Sequence, residues 1–374
     1  MLRAAFDNVK NLPGWRTRRK LVVFAVDDYA NVRLASPIAR DRLTAAGVPL
    51  SGRFDHLDTL ETRADLEALF EVLASVKDHH GKPAIFTPYA LAANPDFEAM
   101  TGTPTDYRLE PVTTTFARRA AEDPNAYEGA WALWQQGMRS NLLAPQFHGR
   151  EHLNVALIEK KLQRHDADLR ANFENRSVVG LTEEPTMPGV GFTHAFGFVD
   201  RADIIRHREI IAEGLRLFEQ VYGLRSVTFT PPAQELHPAL YPALEELGVQ
   251  AIHKPFYTLR RIEAGRTIRE VNFLGRRKGQ KHVNIVRNVV FEPTGSQSRD
   301  SVALALRQVA AAFRWGKPAI ISSHRVNFCG HIDPANRRAG LQALKQLLQA
   351  IVRRWPDVEF IGAGDLAQRI DTTS

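Results

Sequence analysis

Cysteine is nearly missing from this chain. Cys329 is the only one in 374 residues, so no intrachain disulfide framework is available, and a lone thiol fits a reducing compartment. Long apolar runs are missing too. None reaches the roughly 18 residues that a membrane span needs. Met1 to Lys20 carries basic side chains but no continuous apolar segment of the kind that directs export. The expectation is a cytoplasmic protein without a span. No glycine-rich phosphate loop follows a strand, which leaves a dinucleotide fold unsupported. There is no internal repeat and no low-complexity tract. Neither a helix-turn-helix pattern nor an aromatic-interleaved RNA module stands out, so a nucleic-acid partner is not expected.

What is present is ordinary in bulk and uneven in detail. Hydrophobic residues make up 44% and charged residues 24%, the balance of a globular protein with a large core. Net charge is +7 and the pI is near 9.6. The excess gathers between Lys254 and Arg287, where ten lysines and arginines face only Glu263 and Glu270. Such a stretch attracts phosphate, an acidic glycan or a lipid surface, or is a solvated face. Near the start, Leu2, Phe6 and Val9 share one helical face beside Arg3 and Lys10, with Trp15 and the Arg16–Lys20 cluster behind. This reads as a packed N-terminal helix or arm over 1–20, the alternative being peripheral membrane contact.

From residue 21 the chain alternates. A strand is expected at 21–26, helices at 36–46 and 65–76, and a short buried strand at 82–88. Residues 94–140, interrupted by Pro95, Pro104, Pro111 and Pro124, form an inserted helical and loop elaboration. A strand at 142–147 precedes a helix at 153–169, a loop-like region at 172–198 and a helix at 202–222. Strands then fall at 226–229, 250–253, 283–290, 318–323 and 358–361, with helices at 237–247, 301–315 and 336–355 between them. Repetition at this pace predicts a parallel sheet or closed barrel. The expected architecture is one α/β domain over 21–370, a deformed (β/α)7-type, TIM-like barrel.

The chemistry-bearing residues stand just after predicted strands. An apolar run, Leu21–Val26, ends in Asp27 and Asp28. Two adjacent carboxylates repel, so the pair asks for a metal, a shared proton or a basic neighbour; alternatively it caps a turn. His148 and His152 are four apart, as on one face of a helical turn, and with Asp28 they can hold a divalent ion while leaving positions open. His324 ends a late strand and suits a general acid. Thr230 sits at another strand exit, and His331 and Asp333 read as structural. In parallel barrels the C-terminal rim of the sheet is where such residues converge.

These motifs, in this order, resemble the polysaccharide deacetylase family (carbohydrate esterase family four, the NodB-like deacetylases). The resemblance implies Asp27 as general base, Asp28, His148 and His152 as ligands of one divalent metal, usually zinc, and His324 as general acid. It implies removal of an N-acyl group, an acetyl group first of all, from a sugar or glycan. Tyr29, Arg287, Arg325 and Asn327 are then candidates for contact with substrate, and the basic stretch suits a phosphate-linked or acidic one. Three departures stand out. The gap from Asp28 to His148 is long, and Leu153 stands where a proline commonly follows the second histidine. The family's Arg-x-x-Tyr segment is replaced by Thr230-Pro231-Pro232-Ala233. Arg287 is the candidate substitute for the missing arginine, and Pro lacks the N–H that an oxyanion would use.

Two rivals remain at this level. His148-Gly149-Arg150-Glu151-His152 also matches H-x-x-E-H, a metallopeptidase pattern in which Glu151 would be the base. The barrel could also be a catalytically inactive glycan-binding module.

Overall fold

A computed structural model of the protein describes residues 2–102, 106–263, 265–276, 279–295 and 300–372. Pro104, and Arg277 and Lys278 of the basic stretch, lie outside them. The architecture is a curled, mainly parallel sheet wrapped by helices. Its centre is β1 (Lys20–Tyr29), buried along nearly its whole length. On one side β1 pairs with β2 (Phe86–Leu91), which leads to β3 (Gln146–Gly149), β4 (Thr228–Phe229) and β5 (Ala251–Lys254). β6 (Val283–Val286) pairs with β5, and after only Arg287 and Asn288 the chain resumes as β7 (Val289–Val290), which pairs with β8 (Ala319–His324). β8 returns to β1, so these eight parallel strands curl back on themselves. β9 (Val358–Phe360) pairs with the start of β1.

The strands are buried on both faces, which is why they read as continuous apolar runs rather than alternating ones. Helices Arg63–Ser75, Arg201–Tyr222, Ser301–Arg314 and Pro334–Arg354 supply the outer layer, presenting residues such as Leu69, Phe218, Val309 and Leu344 to one core. Their ends carry the expected stop and start chemistry. Thr62 and Asp65 form a reciprocal capping box, and Gly223 closes the long helix in a left-handed conformation.

Several expectations need correction. The helix expected at 153–169 is two, Val155–Gln163 and Ala167–Glu174. They are separated by His165 at φ 52°, and Asp166 caps the second. Residues 237–247 begin as a 3-10 turn, Pro238–Leu240, before the helix Tyr241–Glu246. Part of the basic stretch is an antiparallel hairpin, Tyr257–Glu263 with Arg266–Val271, and Ala363–Thr372 forms a further helix at the C-terminal end. In the N-terminal helix Leu2–Val9 the apolar Phe6 and Val9 are exposed while Asp7 is buried, held by Arg307 and Gln308. Asp7 thus anchors the helix to Ser301–Arg314, while Phe6 meets the edge of Phe256. Among the described residues no helix is long and apolar enough to cross a membrane.

Candidate metal and acid–base site

Asp27 and Asp28 are consecutive residues of one strand, and side chains there ordinarily point to opposite faces. Here the register of β1 against β2 shifts between Val26 and Tyr29, and Asp28 takes φ 72°. This local bulge breaks the alternation, and both carboxylates line the same cavity, about 310 Å³ in volume. A left-handed conformation costs about 1 kcal/mol or more at a non-glycine residue and persists only when its surroundings impose it. Those surroundings are visible. Ala30, also left-handed, donates its N–H to Glu61. Glu61 and Asp58 are clamped by the buried guanidinium of Arg325, with contacts of 3.0 and 2.9 Å.

The carboxylate of Asp28 meets both histidines, at 3.0 Å from His152 Nε2 and 3.4 Å from His148 Nε2. His148 lies within β3 and His152 in the turn beyond it, so no helical turn presents the pair, contrary to expectation. Gly149, at φ 132°, lets the chain fold back. His148 donates Nδ1–H to the carbonyl of Thr230 at 2.7 Å, which in a neutral ring leaves a lone pair on Nε2. That lone pair then faces a carboxylate, an arrangement favoured only with a cation or an extra proton between them. His152 Nδ1 is buried without a hydrogen-bond partner. Burial lowers the pKa of His152 although Asp28 pulls it upward. Burial works to raise the pKa of Asp28, and its hydrogen bonds to the two histidines hold it well below the usual carboxylate range. One carboxylate and two imidazoles are a donor set that fits a divalent metal, and the three ligand atoms lie within 4.8 Å of one another.

Asp27 is held differently. Arg287, in the break between β6 and β7, takes both its oxygens, Nη1–Oδ2 at 2.5 Å and Nη2–Oδ1 at 2.6 Å. The guanidinium is fixed in turn by Thr230 Oγ1 at 3.0 Å and by His253 Nδ1, which accepts from Nε at 3.1 Å. Burial would raise the pKa of Asp27, and the charge and hydrogen bonds of Arg287, together with the charges of His148 and His324, bring it below the usual carboxylate value. β1 and β8 are in register with Asp27 opposite His324, and His324 Nε2 stands 4.0 Å from Asp27 Oδ2. The other ring nitrogen, Nδ1, is 2.7 Å from Glu292. Burial alone would lower the pKa of His324, but that hydrogen bond and the charges of Glu292, Asp28 and Asp27 lift it to about 9.

The mouth thus brings together Asp27, Asp28, His148, His152 and His324, with Arg287 behind Asp27. It does not include the other expected contacts with substrate. Tyr29 is buried against Trp134, and Arg325 is consumed by Asp58 and Glu61. Asn327 is buried and donates to Glu292 at 2.7 Å and to Ser323 at 3.1 Å. These three support the site from behind. Glu151, the base of the peptidase pattern, is gripped by Arg150 at 2.7 and 3.1 Å and does not line the cavity. Glu292 is legible in the sequence as the exit of the strand expected at 283–290, but nothing there gives it a role beside His324. Arg33 and Phe54 also line the mouth, and no pattern in the sequence marks them.

No family model matches the chain, and no curated protein matches it. Solved structures do. A protein assigned as a polysaccharide deacetylase from Mycobacterium smegmatis superposes with a TM-score of 0.50 at 12% identity, covering 96% of this chain and 93% of that one. One assigned as a glycoside hydrolase/deacetylase from Parabacteroides distasonis gives 0.50 at 9%, covering 95% and 72%. The fold is therefore the NodB-like (β/α)7 barrel. Polysaccharide deacetylases are among the neighbours that share it.

Proposed function

We propose that this chain is a metal-dependent carbohydrate de-N-acylase, removing an acetyl group from the nitrogen of an amino sugar or glycan. The observation that carries the reading is the convergence of three separate devices on one mouth: the Asp28–His148–His152 donor set, the Asp27–Arg287 pair and the His324–Glu292 pair. A divalent ion, zinc by the chemistry of the donors, would be held by Asp28 Oδ1 and the Nε2 atoms of His148 and His152. When bound it supplies Lewis acidity, lowering the pKa of a water toward about 7.

The protein's own groups divide the proton transfers. With Asp28 committed to the ion it would hold, Asp27 is the carboxylate left to take the proton of the attacking water. Arg287 keeps Asp27 ionised and fixes its oxygens in one plane. As the new C–O bond forms and the amide C–N bond breaks, the amine nitrogen needs a proton, and His324 is charged and oriented to give it from Nε2. Glu292 holds the opposite nitrogen. Each such group contributes about 10²–10⁴ in rate.

The test is acetate release from N-acetylglucosamine oligomers by the zinc-loaded protein and by Asp27→Asn. The variant should keep its metal and lose at least a hundredfold in kcat. Undiminished turnover with metal retained would show that Asp27 is not the base.

A further inference from the structure

Large apolar side chains that stay exposed are few, and they are not scattered. Twelve do so among the described residues, and eight of these lie in two short segments, 6–12 and 257–273. The fold brings the two segments together. The ring of Phe6 meets Phe256 edge-on, with 5.8 Å between centroids, and Trp15 donates its backbone N–H to the carbonyl of Leu274 at 2.7 Å. Gly14, one residue earlier, lies against Phe273: a Cβ there would stand 3.2 Å from the Phe273 Cβ. Single exposed apolar side chains are ordinary, but a cluster of them marks a surface that something covers.

The hairpin sets the outer face of the cluster. Tyr257 stands opposite Val271, and Leu259 opposite Arg269. Cross-strand partners share a face, and so do residues two apart along a strand. These four are therefore on one side of the ribbon. All four are exposed, whereas Thr258 and Arg260 on the other side are half-buried. Phe273, two residues past Val271, is exposed too, and Leu12 and Phe6 extend the apolar surface along the N-terminal segment. The charge around it has one dominant sign. Between Asp7 and Asp27 the sequence holds five lysines and arginines and no carboxylate. Arg16 is exposed and reaches back to the carbonyl of Leu12 at 2.9 Å. Among the described residues neither Arg16 nor Arg269 makes an ion pair.

We propose that this face docks on an anionic lipid surface, its tyrosine, phenylalanine and leucine side chains entering the headgroup region and its arginines meeting lipid phosphates. Aromatic and aliphatic side chains beside cations are the combination that holds a protein at such an interface, and no membrane-crossing segment is needed for it. A second copy seated on the same face about a two-fold axis would bring a surface of one charge sign against itself. A layer of anionic headgroups supplies the opposite sign. None of the residues of the mouth takes part, so docking stands or falls apart from the deacylase reading.

The experiment is cosedimentation of the full chain with vesicles of phosphatidylcholine alone and of an equimolar mixture of phosphatidylcholine and phosphatidylglycerol. Binding to the mixed vesicles should be about tenfold tighter or more, and should weaken as salt rises. Leu259→Ser with Phe273→Ser should reduce it about tenfold, and Arg269→Gln about fivefold. Ile205→Ser alters an exposed apolar side chain outside both segments and should leave binding unchanged. All these side chains are exposed, so the variants should keep the native Tm. The proposal is overturned by no binding to the mixed vesicles, by equal binding to both kinds, by binding that the double substitution leaves intact, or by an equal loss in Ile205→Ser. A native dimer that the double substitution dissociates overturns it as well, because the face then belongs to a second copy.

Discussion

Arg287 and Asp27 stand 260 residues apart and meet through two parallel N–H to oxygen contacts of 2.5 and 2.6 Å. The pair is possible because the strand between β5 and β8 is interrupted. Asn288 stands in for the broken ladder, its side chain accepting from Ile320 N and donating to Pro318 O, and this frees Arg287 to turn toward the mouth. The sign of its effect on Asp27 is fixed by the geometry. Arg287 depresses the carboxyl pKa, so its loss raises it. Arg287→Met should therefore move the acid limb of kcat/KM to higher pH and reduce kcat, with Arg287→Lys intermediate because an ammonium cannot grip both oxygens. A pH–rate profile of the three proteins checks this, and an acid limb that stays in place argues against Asp27 as the base.

His324 predicts the opposite limb. A general acid works while protonated, so activity should persist below the pKa of His324 and fall above it. That value is about 9, and a cation beside Asp28 offsets one of the charges that raise it, so the limb in the metal-loaded protein should lie somewhat lower. Glu292→Gln removes the strongest of the raising influences, and the alkaline limb should shift further toward neutral pH. If it does not move, the proton for the leaving amine comes from elsewhere.

How much of this could be read from the residues alone depends on the range of the interactions. The barrel rests on local patterns, apolar runs closed by Gly or Pro and capped helices, and these are legible. The five residues of the mouth are legible because a parallel barrel gathers its strand exits at one end. Arg325 looked like a ligand for substrate because it follows His324. Its partners, Asp58 and Glu61, are 267 and 264 positions away, and no local pattern announces them. The hairpin over 257–271 was hidden differently. Its strands are mostly solvent-exposed, so no apolar periodicity marks them, and their arginines read as a charge run. The bulge at Asp28 is likewise invisible in sequence, since Asp is not a residue that demands a left-handed backbone.

The donor set makes a prediction about metal and stability together. Without a cation, the buried Asp28 carboxylate and the imidazoles of His148 and His152 have no ion to hold in common. Chelation should therefore lower Tm by several degrees as well as abolish activity, and zinc should restore both. His152→Ala should bind no stoichiometric zinc by elemental analysis, and its Tm should be insensitive to chelator. A variant that retains one equivalent of zinc would place the metal elsewhere.

Glu151 separates the deacylase from the peptidase. Its carboxylate is locked to Arg150 and sits away from the cavity. Glu151→Gln should cost some stability, about 1–3 kcal/mol, because a hydrogen-bonded buried charge pair is weakened. At temperatures where the variant is folded, kcat for deacylation should remain within about threefold of the native value. Loss of a hundredfold or more, as removal of a general base produces, would restore Glu151 to the chemistry.

Gly340 tests how the acid is positioned from a distance. It lies in the helix Pro334–Arg354, where that helix crosses the turn Arg325–Asn327, and a Cβ placed there would fall 1.8 Å from the carbonyl oxygen of Asn327. Helix and turn must separate to admit it, and overpacking of this kind costs about 1–3 kcal/mol. The displaced turn carries Asn327, which holds Glu292, which holds His324. The same turn carries Arg325, which holds Glu61 and through it the N–H of Ala30 beside Asp28, whereas His148 and His152 lie outside both routes. Gly340→Ala should therefore lower Tm and kcat, and its alkaline limb should shift in the direction given by Glu292→Gln. A lowered Tm with an unmoved pH profile would confine Gly340 to packing and break the proposed link from helix to acid.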